Sequence, residues 1–433
     1  MDAETFKKIV AEWVRGAELP ASTPREQPVG DLPRLRRILA VIGPRRAGKT
    51  WYLYQIISDL LVSKQATRGQ VLFVDFEDYR LRGFRPDDVD RLLAASCQIT
   101  GEPPRYLFFD EVQGLPEWSR ILRTLHNTRK YTIVVTGSNS ELLGSELATE
   151  LRGRCEERLV LPFSLRELLR HRGVSWDQAS LCTPESGRVS RTFDEYLRYG
   201  GFPEAADVPE ESAKRRLIQS YFDTVFYKDL VDRHGIRARH LLDLMMRNIL
   251  EGFGAAFSIS RFEGQLKAHG LAGSKRSIAE YLRHLEGAFF VTTCQKFDFS
   301  PRKRTMNPRK VYLTDTGFSL LGGAFSENRG RLLENVVAIE LFRRRRRTFY
   351  FKGAHECDFV VQEGTRAVEA WQVCWDLTPS NEKRELAGLA EAMSELGVRR
   401  GGILTYALEG TRKVNGRSVP VLPVWKWLLT PPA

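Results

Sequence analysis

The chain has 433 residues, 42% of them apolar and 28% charged, with a formal net charge of +12. That length implies two or three domains with sizeable cores, and the composition is that of an ordinary folded chain. No apolar run is long enough to span a membrane, Met1-Asp2-Ala3-Glu4 does not read as a signal peptide, and the six cysteines lie scattered with no CxxC pair. These features exclude a disulfide framework and a cysteine zinc site and predict a reducing, cytoplasmic setting.

Residues 1–30 predict one amphipathic helix, carried by Phe6, Ile9, Val10, Trp13 and Val14, then a connector with Pro20, Pro24 and Pro28. The apolar run Ile38–Ile42 reads as a buried strand, and the residues after Thr50 continue with apolar positions at helical spacing. Between them stands Gly43-Pro44-Arg45-Arg46-Ala47-Gly48-Lys49-Thr50, the spacing of a P-loop. In that motif backbone N–H groups surround phosphates, the lysine reaches the β and γ oxygens, and the hydroxyl ligates Mg²⁺. The expected ligands are therefore ATP and Mg²⁺.

Three further short apolar runs, Val71–Val74, Tyr106–Phe109 and Thr132–Val135, each end in a polar residue. Their alternation with helix-like segments predicts a parallel sheet covered by helices, with ligands at the carboxyl ends of the strands. Asp110-Glu111 closes the second run in the Walker B manner: Asp110 is expected to hold Mg²⁺ and Glu111 to polarise the attacking water. Ser138 or Asn139, after the third run, is placed to sense the γ-phosphate or to cap the helix that follows. In Leu151-Arg152-Gly153-Arg154, Arg154 is a candidate arginine finger for the nucleotide of a neighbouring copy, which implies a homo-oligomer.

Residues 161–235 read as mostly helical, interrupted by Gly200-Gly201-Phe202-Pro203. Beyond them, a helix near Leu266, a glycine turn and a basic helix over 274–285 outline a helix-turn-helix. Phe289–Thr293 and Lys310–Leu313 follow as β-rich runs joined by Arg302-Lys303-Arg304, which predicts a winged helix with a basic wing. Lys275, Arg276, Arg302, Lys303 and Arg304 are the candidate DNA-binding residues, because clustered cations gain from counterion release on phosphates. The run Arg343–Arg347 is expected to add phosphate affinity or to complement a helix end.

Taken in order, Ile42–Thr50, Phe109-Asp110-Glu111-Val112-Gln113, Thr136–Ser140, Leu151–Arg154, Leu161–Glu167, Tyr199–Glu204, Lys310–Gly317, Leu333-Glu334-Asn335 and Cys357–Val360 resemble one family of AAA+-type ATPases common in archaea and bacteria. The resemblance covers most of the chain and implies ATP hydrolysis. It also implies a C-terminal domain similar to restriction-endonuclease-like folds. In such folds a helix glutamate, a strand acid and a Glu-x-Lys pair hold Mg²⁺, and Glu334 and Asp358 stand in suitable places. The third element is incomplete: in Ala367–Cys374, a register using Glu369 puts Trp371 where the lysine belongs, and one using Gln372 puts Cys374 there. The domain therefore reads as a non-cutting DNA- or protein-binding module.

The expected architecture is α/β: an N-terminal helix and connector (1–30), a P-loop AAA+ ATPase core with a parallel sheet (31–170), a helical lid (171–235), a winged helix (236–322) and a restriction-endonuclease-like domain (323–433). The expected function is ATP hydrolysis coupled to DNA or partner-protein binding. A slow nucleotide-gated regulatory switch and an ATP-dependent nuclease stand as the alternatives.

Overall fold

The computed structural model describes residues 1–430 apart from 17–18, 28–29, 31, 33–35, 139–150, 152, 177–184 and 323–327. The chain forms two compact units, Met1–Leu161 and Pro162–Ala433.

The first unit is built on five parallel strands, β1 (Ile38–Ile42), β2 (Val71–Asp75), β3 (Tyr106–Asp110), β4 (Thr132–Gly137) and β5 (Cys155–Leu159), in the order β2-β3-β4-β1-β5. Around it run α1 (Ala3–Arg15), α2 (Lys49–Val62), α3 (Asp88–Thr100) and α4 (Trp118–Asn127). β1 and β3 are buried along their whole length, which is why they read as unbroken apolar runs. Asp75 lies level with Asp110, and Ile42 with Gly137, so the polar ends of β2, β3 and β4 collect beside the start of the P-loop. The N-terminal helix belongs to this unit. Asp2 caps it by accepting from the Thr5 amide, Phe6, Ile9 and Val10 are buried, and Trp13 donates to the Val71 carbonyl at 2.6 Å while stacking on Phe73.

The second unit carries one nine-stranded sheet. Its strands are β6 (Ala256–Phe257), β7 (Val291–Lys296), β8 (Arg309–Leu313), β9 (Arg347–Lys352), β10 (Glu356–Glu363), β11 (Arg366–Val373), β12 (Arg400–Thr405), β13 (Gly410–Val414) and β14 (Arg417–Pro423). Their order is β13-β14-β12-β11-β10-β9-β7-β8-β6. The helices Arg239–Gly252, Ile259–Ala268 and Lys275–Gly287 precede β7, and the last two pack through Phe262, Leu266, Ile278, Tyr281, Leu282 and Leu285. β8 pairs antiparallel with both β6 and β7. β7 also pairs parallel with β9 through Gln295–Phe349 and Lys296–Tyr350, so the expected boundary at 322/323 falls inside a single sheet. The expected division at 170/171 likewise differs from the observed one at 161/162, because the helix Leu165–His171 packs with the second unit's core. The basic stretch expected to be an extended wing contains a short helix, Pro301–Met306, with Pro301 in its first turn and Ser300 accepting from the Lys303 amide.

Two motifs far apart in sequence meet in this unit. The carboxylate of Asp315 accepts from the amides of Gly201 (2.8 Å) and Gly317 (2.9 Å). A Cβ on Gly200, whose φ is +76°, would sit 1.7 Å from an Asp315 oxygen, so no larger residue fits there. Burial pushes the Asp315 carboxyl up to about 6 against those two amide hydrogen bonds. Because this folded-state value is raised, the group's contribution to stability is complete below about pH 4 and is lost as pH rises through about 6, a span worth about 3 kcal/mol. Asp315→Asn is expected to flatten the dependence of the second unit's unfolding midpoint between pH 4 and 7; an unchanged slope would remove Asp315 as its cause.

Candidate active site

Gly48 starts α2 in a left-handed conformation, φ +91°, with no side chain capping the helix N-terminus. That leaves backbone N–H groups and the positive end of the helix dipole facing the loop, an arrangement suited to an anion. Gly43 is required for packing: a Cβ there would lie 1.9 Å from the Val160 carbonyl oxygen. Arg46 (φ +64°) and Glu111 (φ +47°) are non-glycine residues in the same left-handed region, so the site carries two strained backbone positions.

Most of the side chains expected at the phosphates are together. Lys49 is buried, with Nζ 3.2 Å from the Pro44 carbonyl and 3.5 Å from Glu111 Oε1. The Thr50 hydroxyl donates to Asp110 Oδ2 at 2.7 Å. A hydroxyl and a carboxylate this close are hard oxygen donors of the kind Mg²⁺ takes, and they fit that ion. Ser138 is 1% exposed, and its Oγ has no hydrogen-bond partner among the described residues. Since Gly137 pairs with Ile42, that hydroxyl follows directly from the strand end beside the P-loop. Asn139 and Arg152 lie outside the described residues.

Four further residues at this site have no role assigned from sequence, although Gln113 and Thr136 fall within the segments that carry the resemblance. Thr136 donates to Asp110 Oδ1 and accepts from the Glu111 amide at 2.8 Å, fixing both acids. Gln113 donates to Glu111 Oε2. Asp75 lies on the strand beside Asp110; burial pushes its carboxyl up to about 6, helped by Asp110, Glu77 and Glu111 and opposed by the Glu77 amide. In the connector, buried Arg25 donates to the carbonyls of Ala47 (2.9 Å) and Leu161, tying the P-loop to the end of the unit.

The two Walker acids are tuned apart. Burial raises the Asp110 carboxyl, against the hydrogen bonds from Thr136 and Thr50. Burial also acts to raise Glu111, but the Lys49 charge, with Gln113 and Arg45, outweighs it and holds the carboxyl below its ordinary value. Glu111 is thus ionised at neutral pH, the state a water-orienting base requires. Arg154 is not part of this gathering. Its carbonyl accepts from the Ile38 amide at the start of β1, the opposite end of that strand from the P-loop, so within one chain it does not serve the phosphates.

In the second unit, Lys275 and Arg276, with Arg283 and Arg309, line an open groove of about 540 Å³ between the Lys275–Gly287 helix and residues 305–309. Glu286 also faces it, 3.8 Å from Arg309. Arg302 and Lys303 are exposed, and Arg304 lies over the Phe349 ring at 5.6 Å. Phe299 and Met306, 79% and 77% exposed, flank these cations. Three arginines of the run are engaged by neighbouring acceptors, while Arg345 and Arg347 are exposed, Arg347 lying over the Phe349 ring at 5.5 Å. Arg343 bonds the Pro162 carbonyl, Arg344 pairs with Glu340, and Arg346 pairs with Glu363 and Glu369, because the helix stops at Arg343 and β9 starts at Arg347.

Glu334 and Asp358 are brought together, but around Lys310, which the sequence places in the β-rich run Lys310–Leu313. The open register is decided as well: Gln372 accepts from the Asp358 amide at 3.3 Å and donates to Glu385 at 2.7 Å, while Glu369 pairs with Arg346 and Arg400. Gln372 is therefore the residue beside Asp358, and Cys374 stands at the position of the motif's lysine. Among the described residues, no group of three His, Cys, Asp or Glu side chains is placed to hold a metal ion.

Residues 35–169 match the AAA domain family, and residues 190–323 match a domain of unknown function, DUF8612. The chain is 31% identical over 407 residues to the uncharacterized protein MJ1544 of Methanocaldococcus jannaschii, covering 91% of this chain and 88% of that protein. It is 28% identical over 308 residues to an uncharacterized protein of Haemophilus influenzae, covering 71% and 74%. Among solved structures it is similar to the Walker-type ATPase PABY2304 of Pyrococcus abyssi, with a TM-score of 0.41 and 16% identity over 74% of this chain and 95% of that one. No helix among the described residues is long and apolar enough to cross a membrane. The chain belongs to the same family as the Methanocaldococcus jannaschii protein, and its first unit is an AAA-type, nucleotide-binding ATPase domain.

Proposed function

We propose that the protein hydrolyses ATP at the P-loop and that its nucleotide state controls binding of DNA by the 236–322 segment. The observation that carries the hydrolytic part is the convergence of Lys49, Thr50, Asp110 and an ionised Glu111 at one set of strand ends. Lys49 and the α2 N-terminus hold the phosphates, Ser138 reads the terminal one, and Glu111, oriented by Gln113, positions water for in-line attack. Thr50 and Asp110 would hold Mg²⁺, which supplies charge neutralisation on the phosphates when bound. Arg154 acts on the nucleotide of a second copy. Glu111→Gln is expected to retain ATP binding while turnover falls about 10²–10³-fold; turnover within a few-fold of wild type would remove Glu111 from its role.

The DNA part rests on a winged-helix reading of the Arg239–Gly252, Ile259–Ala268 and Lys275–Gly287 helices with the β6–β8–β7 sheet, supported by its charge. Lys275, Arg276 and Arg283 of the third helix and Arg309 line one groove, Arg302 and Lys303 are exposed on the short helix that leads into its 305–309 wall, and exposed Phe299 and Met306 suit apposition to base steps or sugars. Arg25 supports the coupling, because it joins the P-loop to Leu161, the residue at which the chain leaves the first unit. Replacing Lys275, Arg276, Arg302 and Lys303 by alanine is expected to weaken duplex binding at least about ten-fold at 0.1 M salt. The salt slope should also fall by about 0.9 for each phosphate that is no longer neutralised. Fluorescence anisotropy across a salt series measures both; an unchanged affinity and slope would reject this surface.

A further inference from the structure

Lys310 is 4% exposed and stands in the centre of three carboxylates. Its Nζ lies 2.9 Å from Glu334 Oε1, 2.8 Å from Glu356 Oε1 and 2.9 Å from Asp358 Oδ1. These partners come from three elements: β8 supplies the lysine, the helix Arg329–Arg343 supplies Glu334, and β10 supplies the other two acids. The outer oxygens are also engaged. Lys352 lies 3.2 Å from Glu356 Oε2 and the Val373 amide donates to Asp358 Oδ2 at 3.0 Å, while Tyr312 donates at 2.7 Å to the same Glu334 Oε1 that faces the ammonium.

The resemblance to restriction-endonuclease-like folds implies Mg²⁺ at Glu334 and Asp358, and the residues present do not fit it. The third ligand position holds a neutral amide, Gln372, whose oxygen and nitrogen are taken by the Asp358 amide and Glu385. The space between the acids is filled by an ammonium group at hydrogen-bond distance from each of them. A buried carboxylate group of this kind requires a cation for charge balance, and either a metal or a lysine satisfies that requirement.

We infer that the Lys310 ammonium stands in the place of a divalent cation, so that Glu334, Glu356 and Asp358 form a metal-free charge staple joining β8 to β10 and not a metal-dependent cleavage centre. The staple crosses the 322/323 position and fastens the basic-groove segment to the C-terminal strands. It is independent of the nucleotide site.

The test uses the nucleotide-free full chain with Asp110→Asn in every sample, so that the P-loop acid takes up no ion, and Mn²⁺ as the probe, read by loss of the free-ion resonance signal. The Lys310-containing chain should bind no Mn²⁺ that Asp358→Asn removes. Lys310→Met should unfold at a lower temperature, gain Mn²⁺ binding at least ten-fold tighter than its parent, and recover part of its midpoint when Mn²⁺ is added. Asp358→Asn in the same chain should abolish both gains. Mn²⁺ binding by the parent that is lost on Asp358→Asn would overturn the inference, as would metal-dependent DNA cleavage by wild type that is lost on that substitution. A Lys310→Met chain of unchanged stability that binds no Mn²⁺ would also overturn it. If Lys310→Met does not fold, the comparison of parent with Asp358→Asn still decides the question.

Discussion

Replacing Lys49 by alanine is expected to lower ATP turnover about 10²–10³-fold and to weaken nucleotide binding by at least ten-fold, since the charge that meets the β and γ oxygens is gone. A second consequence follows from the geometry. Lys49 is the main influence holding the Glu111 carboxyl below its ordinary value against burial. Without it, burial dominates and the carboxyl rises, so the acid limb of any residual activity should move to higher pH. Steady-state ATPase assays from pH 5 to 8 on wild type and Lys49→Ala measure both effects. Full activity in the variant would refute the assignment of the phosphate site, and an unmoved acid limb would show that Glu111 is not the group titrating.

The largest stability effect is expected at Glu340. This buried carboxylate accepts from Arg166 at 3.0 Å and Arg344 at 2.8 Å and lies 3.4 Å from Arg343. Arg166 itself is buried and also donates to the carbonyls of Leu428 and Thr430, and Glu167 lies 3.9 Å from Arg343, so Glu340 is the acid shared by all three cations at the end of the Arg329–Arg343 helix. Glu340→Gln keeps the volume and removes the charge shared by those cations, of which Arg343 retains Glu167, a change that costs up to about 3–5 kcal/mol. The second unit's unfolding midpoint in urea should fall accordingly, with ATP affinity unchanged because Glu340 lies outside the nucleotide-binding unit. A loss below about 1 kcal/mol would mean that solvent or the neighbouring carbonyls balance those charges.

What could be read from sequence divides along a physical line. The P-loop, the Asp110-Glu111 pair and the parallel sheet were legible because their chemistry lies in contiguous residues or in unbroken apolar runs. β5 was not, since Cys-Glu-Glu-Arg-Leu is an edge strand with little apolar signal, and only its pairing with β1 makes it one. Thr136 and Gln113 stand inside recognisable segments, but their roles, like that of Arg25, rest on one hydrogen bond or a few, which no spacing announces. Lys310 and the Arg343–Arg347 run show the same limit for charge. Lys310 reads as part of a β-rich run and Arg346 as part of a cationic one, yet their partners lie 24 and 48 residues away in one case and at Glu363 and Glu369 in the other. The sign of a charge is visible in sequence, whereas its burial is a tertiary property.

The most direct measurement is calorimetric titration of the Glu111→Gln chain with magnesium–ATP, because that variant removes turnover and leaves the phosphate cradle intact. Saturable binding at about one nucleotide per chain, abolished in the Lys49→Ala, Glu111→Gln double variant, is the expected result. A flat titration of Glu111→Gln, or binding that survives the loss of Lys49 undiminished, would contradict the account.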